Sequence, residues 1–199
     1  MRPTYQEIVD HFKRCVRPRR RDELAYYRSP SSLSDAISRA ALSTDWRSTD
    51  DRVRRHSHQR RIPALVLRRV ERELLAAVPF IRACTSFENL HELIALRLAP
   101  IRGAGELLVY DIAQRIGIFR KLEPEVVYLH AGTRQGAKEL GIRGKVVSRR
   151  ELAAEFRSLS PSELEDLFCN YKDALAGAAL PESMTPCSAG PRERKRRFC

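Results

Sequence analysis

No apolar run in the 199 residues reaches the length of about 18 that a membrane-crossing helix requires, so no membrane span or membrane partner is expected. The opening, MRPTYQEIVDHFKRC, lacks the apolar core of a secretory signal, and a cytoplasmic location, with association with the nucleoid as one form of it, is the expectation. Cysteine is sparse and odd in number. Cys15, Cys84, Cys169, Cys187 and Cys199 lie far apart and make no C-x-x-C pair, which argues against a disulfide framework and a zinc knuckle. No H-E-x-x-H, G-x-S-x-G or G-x-x-x-x-G-K-[ST] pattern occurs, so metal-dependent and nucleotide-triphosphate enzymes are not expected, nor a metal, nor any small-molecule cofactor. Lysine is scarce as well: 6 of the 37 basic residues are Lys and 31 are Arg. Arg grips phosphate with a bidentate fork, although an Arg-rich chain also arises from genomic base composition.

Charge is unevenly spread over what is present. The net charge is +12, and residues 1–61 hold 15 basic against 8 acidic residues, 62–180 hold 17 against 15, and 181–199 hold 5 against 2. The two ends therefore carry most of the basicity, which suits a polyanionic partner. This divides the chain into a basic N-terminal helical and loop region (1–61) packed on a helical core (62–180), with a basic tail (181–199) expected to be disordered.

Helical spacing dominates the core. Leu67, Val70, Leu74 and Val78 repeat at helical intervals until Pro79 closes the segment. Thr85-Ser86-Phe87-Glu88 has the form of a capping box opening a helix with Leu90, Leu93, Ile94 and Leu98 inward. A third helix follows Gly105, with Leu108, Ile112 and Ile116 on one stripe and Gly117 near its end. Val126–Leu129 is a short apolar run of undetermined type. Thr133 is expected to cap a small helix that stops at Gly141, and Ser148 and Ser160-Pro161 open further elements, the last with Leu164, Leu167, Phe168, Tyr171 and Leu175 inward. In the N-terminal region, residues 4–16 suit a helix with Ile8 and Phe12 inward, interrupted by the run Arg17–Arg21, and a second helix spans about 33–42. The segment 43–61 reads as a polar loop packing only at Trp46 and Ile62. With no hairpin or βαβ signal, the fold class is all-α.

The most specific local pattern is Leu98-Ala99-Pro100-Ile101-Arg102-Gly103-Ala104-Gly105, continuing to Val109 and Ile112. It resembles the helix-hairpin-helix motif, in which two glycines let the backbone bend tightly and approach a phosphate while amides at the next helix start point outward. A plain helix-to-helix turn is the alternative. Such a hairpin grips the nucleic-acid backbone without reading sequence, and its residues here are Arg102, Gly103, Ala104 and Gly105. Glu106 counts against it, since a carboxylate at the helix start competes with phosphate. Arg115, Arg134, Lys138 and Lys145 are the further expected phosphate contacts, Arg134 and Lys138 sharing a helix face at i, i+4.

From Gly103 through Val127-Tyr128-Leu129-His130 to Lys138 the layout is similar to the core of the helix-hairpin-helix DNA glycosylase superfamily. That resemblance implies an aspartate about twenty residues after the hairpin and, in bifunctional members, a lysine two positions after its last glycine. This chain has Leu129-His130-Ala131-Gly132-Thr133-Arg134 and Leu107 there, so the backbone grip remains and base excision is not expected. The stretches His58–Ile62, Tyr110–Gly117, Tyr128–Arg134 and Leu159-Ser160-Pro161 through Asn170–Lys172 also resemble a family of bacterial proteins, a likeness that implies no particular activity.

Three residues are candidates for chemistry. His130 lies between an apolar run and a Gly-Thr turn, where an imidazole can meet a phosphate or act as an acid. Asp111 is a helical carboxylate that is either catalytic or an ordinary partner of Arg115. His58 pairs with His56 in an extended segment but lacks the further ligands of a metal site. The expectation is a sequence-independent duplex-DNA binder without glycosylase activity; the alternatives are a repair-like enzyme using His130 and Asp111, or an Arg-rich module binding an acidic protein.

Overall fold

The computed structural model describes residues 2–45, 47, 54–56 and 59–181. Among these the chain is mostly helical, with ten α-helices and one two-stranded antiparallel ribbon. It divides into two compact units, one of Met1–Arg21 with Glu125–Cys199 and one of Asp22–Pro124. The charge profile had placed a division at residue 61 instead. Charge follows composition, whereas the units follow apolar partners, and the first helix finds its partners beyond residue 125. Trp46, His58 and the tail from 182 lie outside the described residues.

In the first unit, helix α1 (Tyr5–Cys15) opens with a capping box in which Thr4 accepts from the Glu7 amide and Glu7 accepts from the Thr4 amide. Ile8, Val9, Phe12 and Cys15 line its buried face at helical spacing. They pack with Val127, Leu129, Phe156, Leu164, Phe168 and Tyr171 in one core. The first helix stops before the arginine run, as expected, but the run is itself helical and opens α2 (Arg17–Arg28), of which residues 17–21 belong to this unit. Pro18 sits at the helix start, where its missing N–H costs nothing. Arg17 donates to Glu163 Oε1 at 2.7 Å, and Arg20 pairs with Asp166, so part of the run is neutralised by carboxylates. The short apolar run becomes strand β1 (Val127–Tyr128), paired with β2 (Val146–Val147) in the register Val127 to Val147 and Tyr128 to Val146.

The second unit holds α3 (Leu33–Ala41), α4 (Ala64–Ala76), α5 (Val78–Ala83), α6 (Phe87–Leu98) and α7 (Glu106–Arg120). Leu67, Val70 and Leu74 are buried as expected, but Pro79 lies in the first turn of α5 rather than ending the helical segment, and Val78 is half-buried. The cap of α6 falls one residue later than expected: Ser86 accepts from the Asn89 amide. Gly117 is interior to α7, which ends at Lys121 in the left-handed conformation. A Cβ on Gly117 would stand 2.7 Å from the Leu122 carbonyl oxygen and 3.3 Å from the Phe87 ring, so glycine is there for space.

In the first unit, α8 (Ala131–Lys138), a 3₁₀ turn at Arg149–Glu151, another at Ala154–Ser158, α9 (Pro161–Asn170) and α10 (Lys172–Leu175) complete the described chain. Ser148 and Ser160 open elements as expected, each in a capping box in which the Ser accepts a first-turn amide and the Glu three residues on accepts the Ser amide. Thr133 does not cap α8. His130 occupies the cap position, and the Thr133 hydroxyl, fully buried one turn inside, donates to Glu165 Oε1 at 2.6 Å. Gly141, at φ +75°, follows the helix end.

Candidate nucleic-acid interface

Helices α6 and α7 form a hairpin joined by Ala99–Gly105. Leu98 and Ile101 are buried and tie the turn down, the Ile101 amide donating to the Leu98 carbonyl at 2.9 Å and the Ala104 amide to the Ile101 carbonyl at 3.0 Å. Gly103 adopts φ +96°, a conformation that L side chains rarely take, with Val66 of α4 3.6 Å from where a Cβ would be. Gly105 has ordinary extended geometry, φ −79° and ψ 176°, and caps α7 without any side-chain hydrogen bond. A Cβ built on it meets nothing within 4 Å. Arg102, Gly103, Gly105 and Glu106 are exposed, Ala104 is half-buried, and Val109 is buried beneath the turn. The glycines thus differ in purpose: Gly103 is required by the bend, Gly105 only leaves an open approach to the start of α7.

A second basic surface belongs to the first unit. Arg134 and Lys138 project from α8 and, with Ile142, Arg143 and Gly144, line a pocket of about 340 Å³. Arg134 donates through Nη2 to the Leu129 carbonyl at 2.7 Å. Lys138, Arg143 and Lys145 are exposed. The opposite side of α8 is fixed to α9, where Gly136 lies directly on the Phe168 backbone.

Arg115 was expected to meet phosphate, and the structure corrects this. It is 3% exposed. Its Nη2 donates to Gln59 Oε1 at 3.1 Å, its Nη1 to the Ala40 carbonyl at 3.4 Å, and its guanidinium lies 5.4 Å from the centre of the Tyr27 ring. Gln59 in turn donates to Asp111 Oδ2, which stands 3.8 Å from Arg115 Nη2. Of the two readings of Asp111, the intrahelical partner of Arg115 is what the geometry displays, extended by Gln59 into a buried network. Burial pushes the Tyr27 hydroxyl far above its usual range, so it stays protonated and donates to the Thr44 carbonyl at 2.8 Å.

His130 is buried in the first unit with Nε2 3.3 Å from Glu165 Oε1, the oxygen that also accepts from Thr133. Asp111 and His130 therefore belong to different units, each engaged by a partner of its own unit, and His58 lies outside the described residues. His56 Nε2 is 3.3 Å from Glu23 Oε1. The sequence reading missed Gln59, Glu165 and the pair formed by His11 Nδ1 and the Tyr171 hydroxyl at 2.8 Å. Burial, aided by Arg14, holds the His11 imidazole below its usual range, and burial pushes the Tyr171 hydroxyl far up, so a protonated phenol shares this hydrogen bond with an imidazole biased toward its neutral form. Helical spacing places Glu165 beside Leu164 on the inward side of α9, but nothing in the sequence marks it as the partner of a histidine 35 residues earlier.

Among the described residues no group of three or more His, Cys, Asp or Glu is arranged to hold a metal ion, and no helix is long and apolar enough to cross a membrane. The chain matches no family model, no curated protein and no solved structure.

Proposed function

We propose that this protein binds duplex DNA along its backbone, independently of sequence, with Arg102–Gly105 acting as a helix-hairpin-helix turn in a glycosylase-like all-α core, and that it does not excise bases. The observation that carries this reading is the exposed start of α7: Gly105 caps it with no side-chain bond, and apart from its chain neighbours nothing stands within 4 Å of where a Cβ would be, so a phosphate has room to reach the first amides. Arg102 stands exposed in the same turn, and the net charge of +12 favours a polyanion. Against catalysis stand Leu107 and Ala131-Gly132, where resembling enzymes carry their lysine and aspartate, and the engagement of Asp111 with Gln59 and of His130 with Glu165.

The test is a salt titration of binding to two unrelated duplexes. Equal affinities that fall steeply with salt are expected, since each neutralised phosphate contributes about −0.9 to the logarithmic slope. Gly105→Ala is the informative variant, because its backbone and surroundings accept a methyl group; it should fold as wild type and bind more weakly. Gly103→Ala adds strain of about 1 kcal/mol and separates the two effects less cleanly. A flat salt response, or unchanged binding by Gly105→Ala together with its loss on deleting 182–199, refutes the hairpin reading. Incubation with duplexes carrying alkylated, oxidised and deaminated bases should release no free base; release that disappears in a folded His130→Ala or Asp111→Asn variant would replace the binding reading with an enzyme.

A further inference from the structure

We propose that the pocket lined by Arg134, Lys138, Ile142, Arg143 and Gly144 binds the terminal phosphate of a nucleotide, whether free or at the end of a nucleic-acid strand. It lies wholly within the first unit and does not depend on the α6–α7 hairpin.

Three of the five lining side chains are cationic and none is acidic. Glu139, which follows Lys138, is not among them. A phosphate monoester carries between −1.5 and −2 charges near neutral pH and presents three strong acceptor oxygens, whereas an internal diester carries one charge and two such oxygens. Three cations lining one pocket match the monoester. Size points the same way: at about 340 Å³ the pocket sits at the lower end of the range for small-molecule sites, enough for one nucleotide entering end-on and too little for a duplex. Ile142 supplies an apolar wall for sugar or base, a guanidinium plane supplies a stacking face, and Gly144, at φ +121°, leaves bare backbone at the rim.

One of the three cations is held in position before any ligand arrives. Arg134 is anchored by its 2.7 Å bond to the Leu129 carbonyl, which lowers the entropic cost of fixing the guanidinium on a phosphate. Lys138 lies one helical turn further along the same face of α8. The helix itself is pinned by the Thr133 hydroxyl on Glu165 and by the close seat of Gly136 on Phe168.

The experiment is calorimetric titration of the full chain with a short 5′-phosphorylated DNA strand and its 5′-hydroxyl twin, using wild type and Lys138→Gln/Arg143→Gln. Both replaced residues are exposed, so fold and melting temperature should be unchanged by circular dichroism. Wild type should prefer the phosphorylated strand at least tenfold, and the double variant should lose that preference. Deoxyadenosine 5′-monophosphate as a third titrant identifies the source: affinity equal to that of the strand assigns the site to free nucleotides, weaker affinity assigns it to strand ends. Equal binding of the two twins by wild type, or an undiminished preference in the double variant, overturns the proposal. Gly105→Ala should retain the preference, so failure of the hairpin reading and failure of this one are read separately.

Discussion

Gly136→Ala reverses the sign that helix propensity alone would give. Gly136 lies inside α8, and alanine is favoured over glycine in a helix interior by about 1 kcal/mol. Tertiary structure opposes that gain. A Cβ at this position would overlap the Phe168 carbonyl oxygen and stand 2.8 Å from its carbonyl carbon and 3.1 Å from its Cα. These are backbone atoms inside α9, which cannot swing aside as a side-chain tip would. The two helices must separate, and overpacking of this kind costs about 3 kcal/mol at the upper end of its usual range. The net loss is then about 2 kcal/mol, which for a chain of this size lowers Tm by roughly 4–8 °C. Thermal and urea unfolding followed by circular dichroism measure it, with Gly105→Ala as the control whose added methyl group meets nothing. A melting temperature for Gly136→Ala equal to or above that of wild type would refute the close seat of α8 on α9, and with it the pinning of Arg134 and Lys138.

Arg115→Met should destabilise the chain by about 3–5 kcal/mol in urea unfolding, because it leaves the buried Asp111 carboxylate without its cation; a loss under 1 kcal/mol would place Arg115 outside the core. By contrast, Arg17→Gln should cost no more than about 1 kcal/mol, since the Arg17 side chain is 38% exposed and its pair with Glu163 is screened by solvent. Burial holds His11 and His91 below the ordinary value of 6.5, so the unfolded chain takes up their protons first as the pH falls. Their contribution to stability is complete above about pH 6.5 and declines below it, and His11→Gln with His91→Gln should flatten the dependence of urea midpoints between pH 7.5 and 5.5. An unchanged slope in that double variant would assign the acid sensitivity elsewhere.

Local rules account for the parts of this protein that are local. The boxes at Ser148 and Ser160 were legible because the cap and its glutamate lie three residues apart and bond to each other. The bend at Gly103 was legible because only glycine readily takes φ +96°, and the buried stripe Leu108, Ile112, Ile116 because helix geometry repeats at 3.6 residues. Thr4-Tyr5-Gln6-Glu7 carries the same local capping signal, and Pro18 that of a helix start.

Partner choice was decided elsewhere. Nothing near Arg17 or Arg20 announces Glu163 or Asp166, so an arginine run that composition reads as a break is helical with carboxylates some 146 residues away. Thr133 has the residue type of a helix cap, yet the backbone places His130 there and turns the hydroxyl to Glu165. Asp111 and Arg115 were a possible pair from spacing, but the burial that removes Arg115 from any phosphate comes from Gln59, Ala40 and Tyr27 closing around it. What could be read along the chain is most of the longer helices, the boxes at Ser148 and Ser160 and the glycine bend, because those depend on atoms within a turn or two of each other. Which cations are buried, which line a pocket, and why α1 joins a core built mostly after residue 125 are settled by packing in space, because hydrophobic burial and charge desolvation carry no mark of sequence distance.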